Sequence, residues 1–134
     1  MTDTRRIAVA VVESDGHTLV GVRPDGGDLA GYHEFPGGKC ESDETPRACA
    51  VRECREETGL VVVPREHLVT TTHDYEHARV EIHFWRCVLS PDLPDRAAAR
   101  DGFQWVPLSG LNSLKFPEAN NEVLRLLTPS ASGP

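Results

Sequence analysis

The sequence lacks a long apolar run: no stretch approaches the roughly 20 consecutive apolar residues that a membrane-spanning helix needs. It also lacks the organisation of a signal peptide, because only a short, strand-like apolar run follows the first six residues. No internal repeat is visible. These absences exclude a membrane-spanning protein and a repeat architecture, and we expect a cytoplasmic protein that binds no membrane.

No block of lysine and arginine stands out in the chain, whose net charge is −7. An acidic protein with scattered cations is poorly suited to binding a nucleic-acid polymer, because that binding depends on neutralising many phosphates. A single nucleotide remains a possible ligand, since a bound divalent metal can supply the positive charge. Composition therefore excludes a polymer as partner and leaves a small phosphorylated molecule open.

Metal-binding patterns of cysteine and histidine are also missing. None of the four cysteines belongs to a Cys-x-x-Cys pair, so we expect reduced, partly buried thiols and no zinc site of the usual spacing. Three histidines lie near one another, but their spacing matches no standard metal motif, and we expect them on the surface or half-buried in strands. These histidines are His73, His77 and His83.

What is present suits one globular domain. The 134 residues fit a single compact domain, and 39% hydrophobic with 26% charged residues is an ordinary soluble balance. We expect this domain to cover residues 1–127 and the tail 128–134 to be disordered. Apolar runs between turn signals predict strands over 7–13, 18–23, 60–63, 68–72, 79–89 and 103–106. Pro64 is expected to close the strand over 60–63.

Two helices are predicted, over 45–57 and 117–127. The first has the clearer signals: Thr45 can cap its N-terminus, and Pro46 takes the first helical position, where a missing N–H costs nothing. Gly59 is expected to end it in a left-handed conformation. Strands and helices together predict an α/β fold.

Three glutamates of the first helix are the most informative group. Glu53, Glu56 and Glu57 are spaced i, i+3 and i+4, which places them on one helical face as neighbours. Their mutual repulsion favours a hard divalent cation with oxygen ligands, magnesium or manganese rather than zinc. The alternative is a solvated helix surface on which the intervening arginines form ion pairs with the acids.

The context of these acids decides between the two readings. Residues 38–60 read glycine, five residues, Glu44, seven residues, Arg52 and Glu53, an apolar position, one residue, Glu56 and Glu57, one residue, glycine and leucine. This matches the Nudix box at every fixed position, with Cys54 at the apolar one. So many fixed identities make a chance match very improbable.

The resemblance to Nudix hydrolases implies a fold and a division of roles. The fold is a single-domain α/β/α sandwich around a mixed sheet, in which the box forms a loop, a helix and a loop. Glu53, Glu56 and Glu57 would bind Mg²⁺, with Mn²⁺ as a possible substitute, helped by the backbone of Gly37 or Gly38. Arg52 and Glu44 would pair and fix the geometry of the box. Which glutamate is the general base stays open.

The resemblance extends over residues 7–127, and segments outside the box are similar to MutT-type members: 34–39, 105–112 and 116–120. It implies hydrolysis of 8-oxo-dGTP to the monophosphate and pyrophosphate, which keeps oxidised guanine out of DNA. Asn120 would read the base, because an amide carries both a donor and an acceptor. The other substrate-binding candidates are Arg23, Glu34, Lys39 and Tyr75. Alternatives are that Asn120 caps the last helix, Arg23 is a strand-end cation and Tyr75 a surface aromatic.

Some positions depart from the MutT pattern. His33 stands where many relatives have tryptophan, and residues 75–79 match poorly. Asp95 or Asp101 could supply the further metal-binding acid that some relatives carry before the last strand. A broader nucleoside triphosphate or CTP pyrophosphohydrolase is therefore the main alternative, and a dinucleoside polyphosphate hydrolase a weaker one. A non-catalytic Nudix module is disfavoured because every box acid is kept. The sequence leaves monomer and homodimer open.

Overall fold

A computed structural model describes residues 3–23 and 30–128. The predicted tail beyond Thr128 and most of the predicted loop between the second and third strands lie outside these residues. The described residues form the strands β1 (Asp3–Ser14), β2 (His17–Val22), β3 (His33–Glu34), β4 (Gly37–Lys39), β5 (Val62–Asp74), β6 (Ala78–Leu89) and β7 (Phe103–Pro107). The α-helices are α1 (Pro46–Thr58) and α2 (Asn121–Leu127), and 3₁₀ helices cover Leu108–Ser113 and Glu118–Asn120.

The strands form one mixed sheet with β1 near its centre. The order is β3-β2-β1-β6-β5, with β4 paired to β1 and β7 to β2. Only β1 and β6 run parallel among the pairs of the described residues, and the other pairs are antiparallel. The central position explains why residues 7–12 of β1 are all apolar, since both faces of this stretch are covered.

A helix covers each face of the sheet. Cys49, Ala50 and Cys54 of α1 pack with one set of β1 residues, which includes Ala8 and Val12. On the other face, α2 packs against the alternate β1 residues and against Phe84. The predicted α/β/α sandwich in a single domain is therefore confirmed. Neither helix of the described residues is long and apolar enough to cross a membrane.

The ends of α1 are set by the residues that predicted them. Thr45 Oγ1 accepts a hydrogen bond from the Ala48 amide at 3.1 Å, and Pro46 stands in the first turn. Gly59 adopts φ 80° and donates its N–H to the Arg55 carbonyl. Both boundary predictions are confirmed, so the box acids stand in known turns of the helix.

Several element predictions are wrong in extent, and β1 already begins at Asp3, four residues before its predicted start. The strand predicted to close at Pro64 continues to Asp74 as β5, with register shifts between Pro64 and Glu66 and again before Val69. Proline is tolerated because β5 ends the strand order, and bulges absorb its missing N–H. The predicted final helix is divided at Asn120, whose side-chain amide donates to the Pro117 carbonyl at 3.2 Å and so competes with helical hydrogen bonding.

Candidate active site

Helix α1 lies directly against the backbone of β4, and Gly38 is the point of closest approach. A Cβ built on Gly38 would stand 2.4 Å from the Glu53 carboxyl carbon. The adjacent Gly37 is equally confined, because a Cβ there would stand 2.5 Å from the Ala8 carbonyl oxygen. Gly38 therefore lets the acidic face of the helix meet β4, and Gly37 lets β4 lie close to β1.

Arg52 is the centre of the ion-pair network in the box. Its Nε and Nη2 donate to the two carboxylate oxygens of Glu44, at 2.7 and 2.8 Å. Its Nη1 donates to Glu53 at 2.9 Å and to Glu56 at 2.8 Å. Nη2 also donates to the Lys39 carbonyl at 3.0 Å, which ties the helix to β4. The structure thus brings Arg52 and Glu44 together as a bidentate pair.

The pairing with Arg52 lowers the pKa of Glu44 to about 2, and the same hydrogen bonds raise the pKa of Arg52. A carboxyl with a lowered folded-state pKa stabilises the fold above its unfolded pKa of about 4.5. That stabilisation is lost as the pH falls towards 2. The pair is well shielded, since the Glu44 side chain is 12% exposed.

Replacing Glu44 by glutamine is expected to lower the free energy of unfolding by about 2 kcal/mol at pH 7, because charged hydrogen bonds to Arg52 are lost. The difference from wild type should shrink at pH 3, because Glu44 of the unfolded chain, with a pKa of about 4.5, is then protonated while the folded carboxylate stays mostly ionised. Urea unfolding at pH 7 and at pH 3 measures this difference in the free energy of unfolding. Exposed Asp43, changed to asparagine, is the control, and an equal loss in both variants would refute a special role for the pair.

The pKa of Glu57 is raised, whereas that of Glu44 is lowered. Although much of its side chain is exposed, its carboxyl end lies against β4 and accepts a hydrogen bond from the Gly37 amide at 3.0 Å. Desolvation of this end raises the pKa of Glu57 to about 7; the Gly37 N–H opposes the rise, and the negative charges of Glu53, Glu34 and Glu56 add to it. Four carboxylates therefore share one region.

The donor chemistry of this region fits a hard divalent cation. Glu53, Glu56 and Glu57 offer only oxygen ligands, and the repulsion on Glu57 is of the kind that a cation relieves. In the described residues, however, no three Asp, Glu, His or Cys side chains are grouped as a finished ligand set. In this arrangement Arg52 holds Glu53 and Glu56 in ion pairs.

A cleft of about 270 Å³ begins at Gly37 and Gly38 and runs to Asn120. Its walls combine apolar and polar side chains, among them Ile7, Ile82, Phe84, Arg23 and Glu34. Arg23 Nη1 stands 3.5 Å from Glu34 Oε1, and both side chains remain partly exposed. The cleft thus brings together three of the five predicted substrate-binding residues, which come from distant segments.

Asn120 reaches this cleft from the short 3₁₀ helix before α2. It occupies the N-terminal flank of α2, yet its side chain makes no capping hydrogen bond to that helix. The interpretation of Asn120 as a capping residue is therefore wrong. Its amide, which donates one hydrogen bond to the Pro117 carbonyl, borders the cleft.

The other candidates lie away from the cleft. Tyr75 is 64% exposed at the turn between β5 and β6 and borders a separate groove with α2, as the surface-aromatic alternative implied. The Lys39 side chain faces a groove that it shares with Arg5 and Arg6. Asp95 and Asp101 are exposed in the loop between β6 and β7.

Sequence reasoning missed Arg100, which belongs to that same loop. Arg100 Nη1 donates to the Glu56 carbonyl, and the Arg100 amide donates to the Thr58 carbonyl at 3.0 Å. It thus contacts the acidic end of α1, where an additional acid was anticipated. No local sequence signal marks it, because the contact spans 44 residues of chain.

Comparison with known families gives one consistent match. The model of the NUDIX domain matches residues 7–126. The chain is 32% identical over 117 residues to the CTP pyrophosphohydrolase of Escherichia coli (strain K12), covering 87% of this chain and 84% of that protein. It is 29% identical over 123 residues to the 8-oxo-dGTP diphosphatase of the same organism, covering 91% and 95%.

Solved structures agree with the sequence relatives. The Escherichia coli ORF135 protein superposes with a TM-score of 0.74 at 27% identity, covering 94% of this chain and 87% of that one. The MutT protein of methicillin-resistant Staphylococcus aureus 252 also gives 0.74 at 27% identity, covering 95% and 97%.

Proposed function

The chain belongs to the Nudix domain family, and from that premise we propose that it hydrolyses 8-oxo-dGTP to the monophosphate and pyrophosphate. Its role would be to remove an oxidised nucleotide before it enters DNA. The coarser description, a Nudix pyrophosphohydrolase, is the one that family membership and the named relatives carry. The residues that line the cleft support 8-oxo-dGTP as the substrate.

The continuity of the cleft is the observation that carries the proposal. Its lining includes the Asn120 amide and Arg23 together with Gly37 and Gly38, and Gly38 lies beside the Glu53 carboxylate of the box. An amide donor and acceptor suit a purine edge, and the acidic end suits a metal-bound phosphate chain. A nucleotide bound in the cleft would therefore place its base against Asn120 and its phosphates beside the box carboxylates.

The residues of the box would divide the chemical work between them. Bound Mg²⁺ would neutralise the phosphate charge that develops during in-line attack by water. Glu53, Glu56 and Glu57 would hold it, while Arg52 keeps Glu53 and Glu56 oriented between turnovers. A carboxylate such as Glu53, lying against Gly38, would accept the proton of the attacking water. Mn²⁺ offers the same preference for oxygen ligands.

CTP is the second candidate substrate. The relative that is 32% identical to this chain is named a CTP pyrophosphohydrolase. An Asn amide can also pair with a pyrimidine edge, so the cleft chemistry alone does not separate the two bases. The partner in either case is a small nucleotide.

A substrate panel with product identification tests the proposal. It would compare 8-oxo-dGTP, dGTP, CTP, a diadenosine polyphosphate and a sugar nucleotide under Mg²⁺. We expect the highest kcat/KM for 8-oxo-dGTP, with pyrophosphate as co-product. A higher kcat/KM for CTP would select the second candidate. The highest kcat/KM for the diadenosine compound or the sugar nucleotide would reject both candidates.

Asn120→Ala is expected to lower the preference for 8-oxo-dGTP over dGTP about tenfold. One well-placed polar contact contributes about 1–3 kcal/mol to the discrimination between two bases. The ratio of the two kcat/KM values measures this preference. The matched control is Asn121→Ala, since Asn121 borders the separate groove and not the cleft. If both variants keep the wild-type ratio, Asn120 does not read the base.

A further inference from the structure

The last turn of α1 ends with carbonyl groups that have no partner inside the helix. The Arg55 carbonyl is taken by the amide of Gly59 at 2.9 Å. The carbonyls of Glu56 and Thr58 are both taken by Arg100, through its guanidinium and its main-chain amide. A single residue of a distant loop therefore engages two of the last four carbonyls of this helix.

The Arg100 side chain also lies across the glycine that ends the helix. A Cβ on Gly59 would stand 3.4 Å from Arg100 Nε and 3.7 Å from its Cγ. A guanidinium at this place is favoured by the helix dipole, whose C-terminal end is negative. The main-chain contact, the side-chain contact and the charge all act on the same turn.

That turn carries two of the three acids assigned to the metal. Residue 56 is held from both ends, because Arg52 binds its carboxylate at 2.8 Å while Arg100 binds its carbonyl. Helix ends fray unless their last carbonyls are engaged. Fraying here would move Glu56 and Glu57 relative to Glu53, one turn earlier.

We propose that Arg100 is a positioning residue that fixes the last turn of α1, so that Glu56 and Glu57 stand ready to bind a divalent metal with Glu53. The inference rests on the proposed function only in its use of the metal. In this proposal the loop between β6 and β7 supports the site through the Arg100 guanidinium, which holds the backbone of the turn that carries the acids.

The test compares Arg100→Ala and Arg100→Lys with the control Arg96→Ala. Arg96 belongs to the same loop, but its carboxylate partner is Asp15, at 3.4 Å, which lies outside α1. Free Mn²⁺, followed by electron paramagnetic resonance without nucleotide, gives the metal dissociation constant. Thermal unfolding and kcat are recorded on the same preparations.

We expect Arg100→Ala to weaken Mn²⁺ binding about tenfold and to lower kcat to a similar degree, as loss of support behind metal ligands does. Arg100→Lys should recover part of both, because an ammonium can still donate to the Glu56 carbonyl. Arg96→Ala should match wild type. A lower melting temperature with unchanged Mn²⁺ affinity would mean that Arg100 is merely structural and would overturn the proposal.

The two proposals fail in different ways. If the wild-type protein binds Mn²⁺ and Arg100→Ala weakens that binding, but no nucleoside triphosphate is cleaved, the proposed function fails and the role of Arg100 stands. If triphosphates are cleaved and Arg100→Ala binds Mn²⁺ as tightly as wild type, only the role of Arg100 fails. Absence of Mn²⁺ binding by the wild type would overturn both.

Discussion

Gly38→Ala is expected to reduce turnover by on the order of 100-fold while leaving the fold intact, since a displacement of about 1 Å in a reacting group has that effect. The new Cβ would stand 2.4 Å from the carboxyl carbon and Oε2 of Glu53. These atoms are the far end of a flexible side chain, so they can move without disturbing the backbone. The effect of the substitution therefore falls on the position of Glu53, a proposed metal ligand, and not on stability.

The neighbouring glycine gives the opposite result and so serves as a comparison. A Cβ on Gly37 would stand 2.5 Å from the Ala8 carbonyl oxygen and 2.9 Å from the Val9 Cα, which belong to the rigid central strand. Gly37→Ala should lower the free energy of unfolding by about 1–3 kcal/mol, as overpacking does. Gly110→Ala, with nothing within 4 Å of the new Cβ, should behave as wild type.

Urea unfolding and kcat with Mg²⁺ distinguish these three variants. The expected pattern is a stable, inactive Gly38→Ala, a destabilised Gly37→Ala and an unaffected Gly110→Ala. Near wild-type turnover of Gly38→Ala would show that Glu53 need not stay where the structure places it, and would remove Glu53 from the ligand set.

Glu57→Gln is expected to reduce turnover about 1000-fold, because the amide keeps the size of the side chain but removes the charge of a proposed metal ligand. Its amide oxygen can still accept the hydrogen bond from Gly37 that the carboxylate accepts at 3.0 Å. The local structure should therefore survive. Mn²⁺ binding and kcat measure the loss, and Glu76→Gln, at an exposed turn, is the control.

The same variant should become more stable than wild type in metal-free buffer at pH 8. Glu57 has a folded-state pKa of about 7, above its ordinary value of 4.5, so its ionisation in the folded protein is unfavourable. The resulting destabilisation develops as the pH rises from about 4.5 to about 7 and is absent below that window. Equal stability of the two proteins at pH 8, or full activity of Glu57→Gln, would contradict the assignment of Glu57.

The sequence alone predicted those features that depend on neighbouring residues. Thr45, Pro46 and Gly59 set the ends of α1 through contacts within a few positions, so the helix was predicted to within one residue at either end. The i, i+3, i+4 spacing likewise put the acids on a common face. The roles assigned by resemblance to these acids stay predictions.

Features that depend on distant segments could not be read from local pattern. Pro64 reads as a strand end until β5 is known to lie at the sheet edge. Arg100 is indistinguishable in sequence from Arg96, and only the path of the loop brings one of them to α1. The meeting of Arg23 with Asn120 in one cleft was implied by family resemblance and not by spacing.

The central claim is metal-dependent release of pyrophosphate at the box, and phosphorus-31 nuclear magnetic resonance of the products tests it most directly. A nucleoside triphosphate that leads the substrate panel is incubated with the protein in Mg²⁺ and, separately, in excess chelator. The account predicts pyrophosphate and the nucleoside monophosphate with Mg²⁺ and no turnover in chelator. Release of orthophosphate, or equal turnover in chelator, would contradict it.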